Sequence, residues 1–167
     1  MKRLILIASL CVVGFVIAPL AAANAATLTG ACEVKGSAKF GPTNLTSTLA
    51  FHTYEFEGKA TCKDTANVTH EGTVTVKEGN GQLSCLAAVS EAEGNGVLTE
   101  AVTGTKYAFT LSFVATGGQV ALVIKVGGVA SATGDATFAN SKNQTPAECL
   151  TGGVSKLEFE ADAVGTL

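Results

Sequence analysis

From Leu28 the even positions read Leu28, Gly30, Cys32, Val34, Gly36, Ala38 and Phe40, while Thr29, Glu33, Lys35, Ser37 and Lys39 occupy odd ones. A period of two sends alternate side chains to opposite faces and predicts a half-buried strand. After the loop GPTNLTST, Tyr54, Phe56, Gly58, Ala60 and Cys62 alternate in the same way with Thr53, Glu55, Glu57, Lys59 and Thr61. Paired antiparallel, Phe40 faces Tyr54, Ala38 faces Phe56, Gly36 faces Gly58 and Cys32 faces Cys62, so a single register makes both faces coherent.

Further along, Val74 and Val76 precede EGNG, whose Asn80-Gly81 suits a type I′ turn. Leu83, Cys85, Ala87 and Val89 then read as the returning strand, with Val76 opposite Cys85, and a second EGNG at Glu93 to Gly96 predicts a turn toward Leu98 and Val102. The apolar stretch Tyr107 to Val126 has the hydropathy of a membrane helix, but Gly117-Gly118 at its centre predicts a hairpin instead. With that turn, Phe113 faces Leu122, Leu111 faces Ile124 and Phe109 faces Val126. Residues Ala130 to Phe138 and Val154 to Val164 supply two more strands. The pattern of about nine short strands with no helix is that of an all-β chain, a sandwich or a closed barrel, and an antiparallel β-sandwich stabilised by disulfides is the expected fold.

The N-terminus changes the picture of where this fold resides. Lys2 and Arg3 precede an apolar run from Leu4 to Leu20 and the small-residue site Ala23-Asn24-Ala25. Residues 1–25 therefore read as a signal peptide, with Cys11 discarded in it, and residues 26–167 as a single secreted β-sandwich domain. The expected location is extracellular or at the cell envelope, with no integral membrane segment after cleavage. An outer-membrane barrel has the same alternation, but it needs aromatic girdles, and this chain has no Trp and only Tyr54 and Tyr107 as tyrosines.

Loss of Lys2 and Arg3 removes two of the 11 basic residues, leaving nine lysines against 14 acidic residues and no arginine. Arginine is the usual bidentate reader of phosphate and guanine, so nucleic acid is not an expected partner. Four cysteines remain in the exported portion: Cys32, Cys62, Cys85 and Cys149. Four allow three connectivities, and their wide spacing lacks the close pairs of a zinc site. The first hairpin register favours Cys32 with Cys62, which leaves Cys85 with Cys149, each bridge contributing roughly 3–4 kcal/mol.

His52 and His70, with Asp64 or Glu71 nearby, are the candidates for metal or acid–base chemistry, but no HExxH or other His-rich spacing supports them. Glu55 and Glu57 lie two apart on the polar face, opposite or diagonal to Lys39 and Lys35, as a salt-laced surface would place them. Neither a nucleophile elbow nor a phosphate loop is present. No catalytic, cofactor-binding or metal-ligating residue is assigned.

The order LTGACEVKGSAKF, YEFEGKATC, GQLSC, the Gly-Gly hairpin and CLTGGVSKLEFEADAV resembles a loose set of small uncharacterised secreted bacterial β-proteins. That resemblance implies an exported, disulfide-stabilised β-domain and brings no activity with it. The resulting expectation is a non-catalytic exported protein that binds a protein or another envelope component through its loops, at Gly41 to Thr48, Asp64 to Glu71 or Asn140 to Glu148. The alternatives are a secreted hydrolase using His52 or His70 with Asp64, and a structural subunit that assembles through a strand edge.

Overall fold

A computed structural model of the chain describes residues 27–85, 90–116, 119–138 and 146–167. The segment read as a signal peptide, residues 1–25, lies outside the described residues. The described residues form eight strands: β1 (Thr29–Gly41), β2 (Ala50–Asp64), β3 (Thr69–Leu83), β4 (Ser90–Glu100), β5 (Lys106–Thr116), β6 (Gln119–Val126), β7 (Val129–Phe138) and β8 (Lys156–Thr166). A short helix, α1 (Pro146–Thr151), precedes β8. Each strand pairs antiparallel with the next, and β8 returns to pair with β1 from Thr29↔Thr166 to Lys39↔Lys156, closing an up-and-down barrel. Closure gives every strand two hydrogen-bonded neighbours and leaves no vacant edge for edge-to-edge assembly.

The β1–β2 register is the expected one, running from Gly30↔Asp64 to Gly41↔Thr53. The β5–β6 pairing likewise brings Phe113 to Leu122 and Leu111 to Ile124, while the Gly117-Gly118 turn itself lies outside the described residues. The nine-strand sandwich is corrected to an eight-strand barrel, and the two EGNG segments account for the difference. Neither is a turn: Glu78-Gly79-Asn80-Gly81 runs inside β3, and Glu93-Gly94-Asn95-Gly96 inside β4. Val76 accordingly faces Phe56 and Gly96, not Cys85.

The physical reason is close packing against the inner wall. A Cβ on Gly79 would sit 2.2 Å from Tyr54 Cζ, and one on Gly96 would sit 2.4 Å from Phe109 Cζ. Glycine stands at these positions because aromatic rings lie flat against the backbone there, and a register shift between Val76 and Asn80 absorbs the local irregularity. The same residues in isolation carry the signature of a hairpin turn.

Inward positions are apolar or small, and the outward ones on β1, β2 and β8 are mostly polar, though Phe51, Val114 and Val164 are exposed apolar side chains. β1, β2 and β8 turn Glu33, Lys35, Lys39, Glu55, Lys59 and Glu160 to the outside. That polarity is the reverse of a barrel whose outer band meets lipid. Lys35 Nζ meets Glu33 at 2.7 Å and Glu160 at 3.5 Å, so its partners are on its own strand and β8, not Glu57. Among the described residues, no helix is long and apolar enough to cross a membrane.

The two mouths of the barrel are built differently. At one, the β1–β2 loop folds inward, and Leu45, only 2% exposed, pairs with Val154 through backbone bonds of 2.9 and 2.7 Å. Both expected disulfides are present: Cys85–Cys149 ties the end of β3 to α1 at this mouth, and Cys32–Cys62 joins neighbouring strands within the wall. At the other mouth, Leu28, just before β1, and Leu167, just after β8, exchange two backbone hydrogen bonds.

Candidate ligand-binding cavity

Eight strands enclose an interior that side chains either fill or leave open for one small ligand. Here the filling is incomplete. A cavity of about 190 Å³ runs inside the barrel, with walls contributed by all eight strands. Phe56 stacks on Phe159 with ring centroids 4.4 Å apart, and Tyr54 meets Phe113 edge-on at 5.7 Å. Across the cavity, Leu111, Leu122, Ile124 and Leu157 line the lumen yet are only half-buried. A tightly packed barrel would bury these side chains fully.

Tyr54 is the polar feature of this wall. It is 4% exposed, it lines the cavity, and its hydroxyl has no hydrogen-bond partner. An unmet buried hydroxyl costs about 1–3 kcal/mol. Burial, reinforced by the charge of Glu93, holds the phenol well above its ordinary value of 10.0, so it remains a neutral O–H donor. A Cβ on Gly94 would come within 2.9 Å of the Tyr54 oxygen, so glycine at that position lets the hydroxyl pack against the β4 backbone. The other hydroxyls on the lining, Ser84, Ser90 and Thr116, lie at the stapled mouth.

The structure separates the two histidines singled out from the sequence. His52 pairs with Gly81 near the stapled mouth and His70 with Cys62 near the other, ten positions away along β2 or about 33 Å. They cannot act in one site. His52 is 3% exposed and buried with neither ring nitrogen bonded.

His70 does meet Asp64, and with it a residue that sequence reading missed. Its Nδ1 lies 2.7 Å from Glu100 Oε1 and its Nε2 3.2 Å from Asp64 Oδ2. Asp64 also organises the β2–β3 turn, its Oδ1 accepting from the amides of Ala66 and Val68 at 2.9 and 2.8 Å. Thr103 donates its hydroxyl to Glu100 in the β4–β5 turn. The latch thus links two successive turns across β3. The Glu100 and then the Asp64 hydrogen bond raise the imidazole above its ordinary 6.5. The Val68 amide and then His70 lower Asp64, and the Thr103 hydroxyl and then His70 lower Glu100.

Both imidazole nitrogens are occupied by carboxylates, so the ring has none left to take a proton from a nucleophile. The carboxylates sit at opposite nitrogens and do not converge with the ring on one point. Among the described residues, no grouping of His, Cys, Asp and Glu is arranged to hold a metal ion. Glu71, the other acidic candidate, is exposed on the outside of β3. Glu100 was legible only as an inward position at the end of β4, which the turn assigned to Glu93–Gly96 concealed.

Fold and interior together define a closed eight-stranded antiparallel barrel with an apolar lumen. Comparisons with protein-family models, with curated proteins and with solved structures find no match.

Proposed function

We propose that this is a non-catalytic exported barrel that binds a small apolar molecule in its interior. The observation that carries the reading is the 190 Å³ apolar cavity, lined in part by half-buried leucine and isoleucine side chains. Burial of a ligand's apolar surface there would contribute about 25 cal/mol per Å², and the walls are already formed. Two disulfides suit an oxidising compartment and support export.

The test is titration of the purified protein with toluene by calorimetry. Saturable one-to-one binding is expected, and it should be lost when the inward Ala161 is replaced by Leu. Absence of saturable binding to the unmodified protein would sink the reading.

A protein or envelope partner at the loops is the second reading, favoured by exposed apolar side chains at the stapled mouth. Phe51 is 62% exposed and Leu150 65%, with Leu49 also exposed beside the loop Gly41 to Thr48. Replacing these three with Ser should abolish capture of an envelope partner while leaving toluene binding intact. Retention of capture by the triple variant would exclude this surface.

A further inference from the structure

We propose that the outer wall of β3 to β6 binds an anionic, hydroxyl-rich glycan chain, held by Lys77, Lys106 and Lys125 around an open groove of about 640 Å³. The groove lies on the outside of the barrel and does not depend on binding in the interior.

Strand pairing builds the groove. β5 pairs with β4 from Lys106 but with β6 only from Thr110, so its first residues run on past the β6–β7 turn at Gly127-Gly128 and leave a step in the wall. Asn95 faces Thr110 and Thr110 faces Lys125, while Lys77 follows Val76, the partner of Gly96, and so enters the same cross-strand row. That row sets Lys77 and Lys125 about 14 Å apart, at three strand spacings, and Lys106 lies about 13 Å along β5 from Thr110. The floor between them is made of small side chains, Val97 and Ala108, which pair with each other.

Charge sets the groove apart. It collects three of the nine lysines of residues 26–167 and only Glu78 of the 14 acidic residues, which leaves six lysines among thirteen acids elsewhere. Among the described residues none of these three lysines is in an ion pair, whereas Lys35 on β1 meets Glu33 and Glu160. A concave patch of one sign concentrates ions of the other. Ammonium groups set this widely match charges repeated along a chain better than one small anion.

The remaining groups favour a sugar chain over nucleic acid or protein. Thr75, Thr99 and Thr110 bring hydroxyls, and Thr110 donates to Asn95 Oδ1 at 3.2 Å, leaving the Asn95 amide nitrogen as a donor. Such groups pair with sugar hydroxyls. The lining has no arginine to grip phosphate, and its aromatic residue, Phe109, is buried and offers no ring to stack a base or anchor a protein.

The experiment is calorimetric titration with a galacturonic acid hexamer. Saturable binding to the wild type is expected, weaker in about 150 mM salt than in about 20 mM. Lys77→Gln with Lys106→Gln and Lys125→Gln should weaken it about 10-fold. Lys35→Gln with Lys39→Gln and Lys59→Gln, an equal change in net charge, should weaken it less than about 2-fold. No binding to the wild type, or equal loss in the two triple variants, would overturn the site. Equal affinity for maltohexaose, an uncharged hexamer, would overturn the role of charge, and tighter binding of a thymidine hexanucleotide would overturn the glycan in favour of nucleic acid. Should the first triple variant not fold, the exposed lysines decide: Lys77→Gln and Lys106→Gln singly should each weaken binding about 2-fold, and no change in either overturns the site.

Discussion

The two mouths of the barrel achieve closure by opposite means. One is plugged by backbone and covalent links: the Leu45↔Val154 bridge, the Asn44 side-chain amide donating to the Gly152 carbonyl at 3.0 Å, and Cys85–Cys149 across the opening. The other is held by the Asp64–His70–Glu100 latch and the Leu28–Leu167 backbone pair. The plug is made of backbone, amide and disulfide links that carry no ionisable group, whereas the latch is made of three. The difference teaches that one wall can carry a permanent end and a conditional one, with the apolar cavity between them.

The largest expected effect comes from breaking the plug. Cys85→Ala with Cys149→Ala should lower unfolding free energy by about 4 kcal/mol in non-reducing urea titrations. Cys32→Ala with Cys62→Ala should cost somewhat less, because it closes 30 residues of chain against 64. Equal stability of the first variant and the wild type would show that the plug holds without its staple.

Next in size is the wall between the mouths. Gly79→Ala places a methyl 2.2 Å from Tyr54 Cζ and should destabilise by about 1–3 kcal/mol, read from the same titrations. The substitution should also displace the ring and reduce toluene binding. A neutral outcome would mean that the ring moves aside freely.

The latch should show itself as pH dependence. His70 is raised in the folded state, so its contribution is complete below its ordinary value of 6.5 and fades as pH rises through the higher folded value. Asp64 and Glu100 are lowered, so theirs is complete above 3.8 and 4.5 and fades as pH falls through the folded values. The difference in melting temperature between wild type and His70→Gln should therefore peak between about pH 4.5 and 6.5 and narrow toward pH 8. A pH-independent difference would reduce the latch to packing.

The smallest effect is expected at His52. Its two ring nitrogens are buried without partners, so His52→Leu should change stability by less than about 1 kcal/mol, or raise it. A large loss in thermal melts would reveal a polar role for this ring.

Much of the wall was legible in the sequence, and the reason is local. Alternation at Leu28 to Phe40 and Tyr54 to Cys62 fixes which side chains face inward, and matching parity fixes their register and the Cys32–Cys62 pairing. The same held for Leu111 to Leu122 around Gly117-Gly118. At EGNG the local signal misled, because a glycine pair that permits a turn also permits a strand lying flat under an aromatic ring. The ring is Tyr54 for Gly79 and Phe109 for Gly96, each from another strand.

The candidate site was less legible than the wall. Tyr54 reads as an inward core residue, and nothing in its neighbours along the chain reveals that its hydroxyl lacks a partner. Glu100 reaches His70 from 30 residues away.

By itself, then, the sequence determined facing, two hairpin registers and the Cys32–Cys62 pairing, which follow from period-two patterning and matched parity, and left Cys85 with Cys149 by elimination. Only the tertiary structure decided that β8 returns to β1, and hence that the inward faces enclose a cavity. Alternation is identical in a sandwich and a barrel. The choice between them lies in strand continuity and closure, which depend on contacts more than a hundred residues apart.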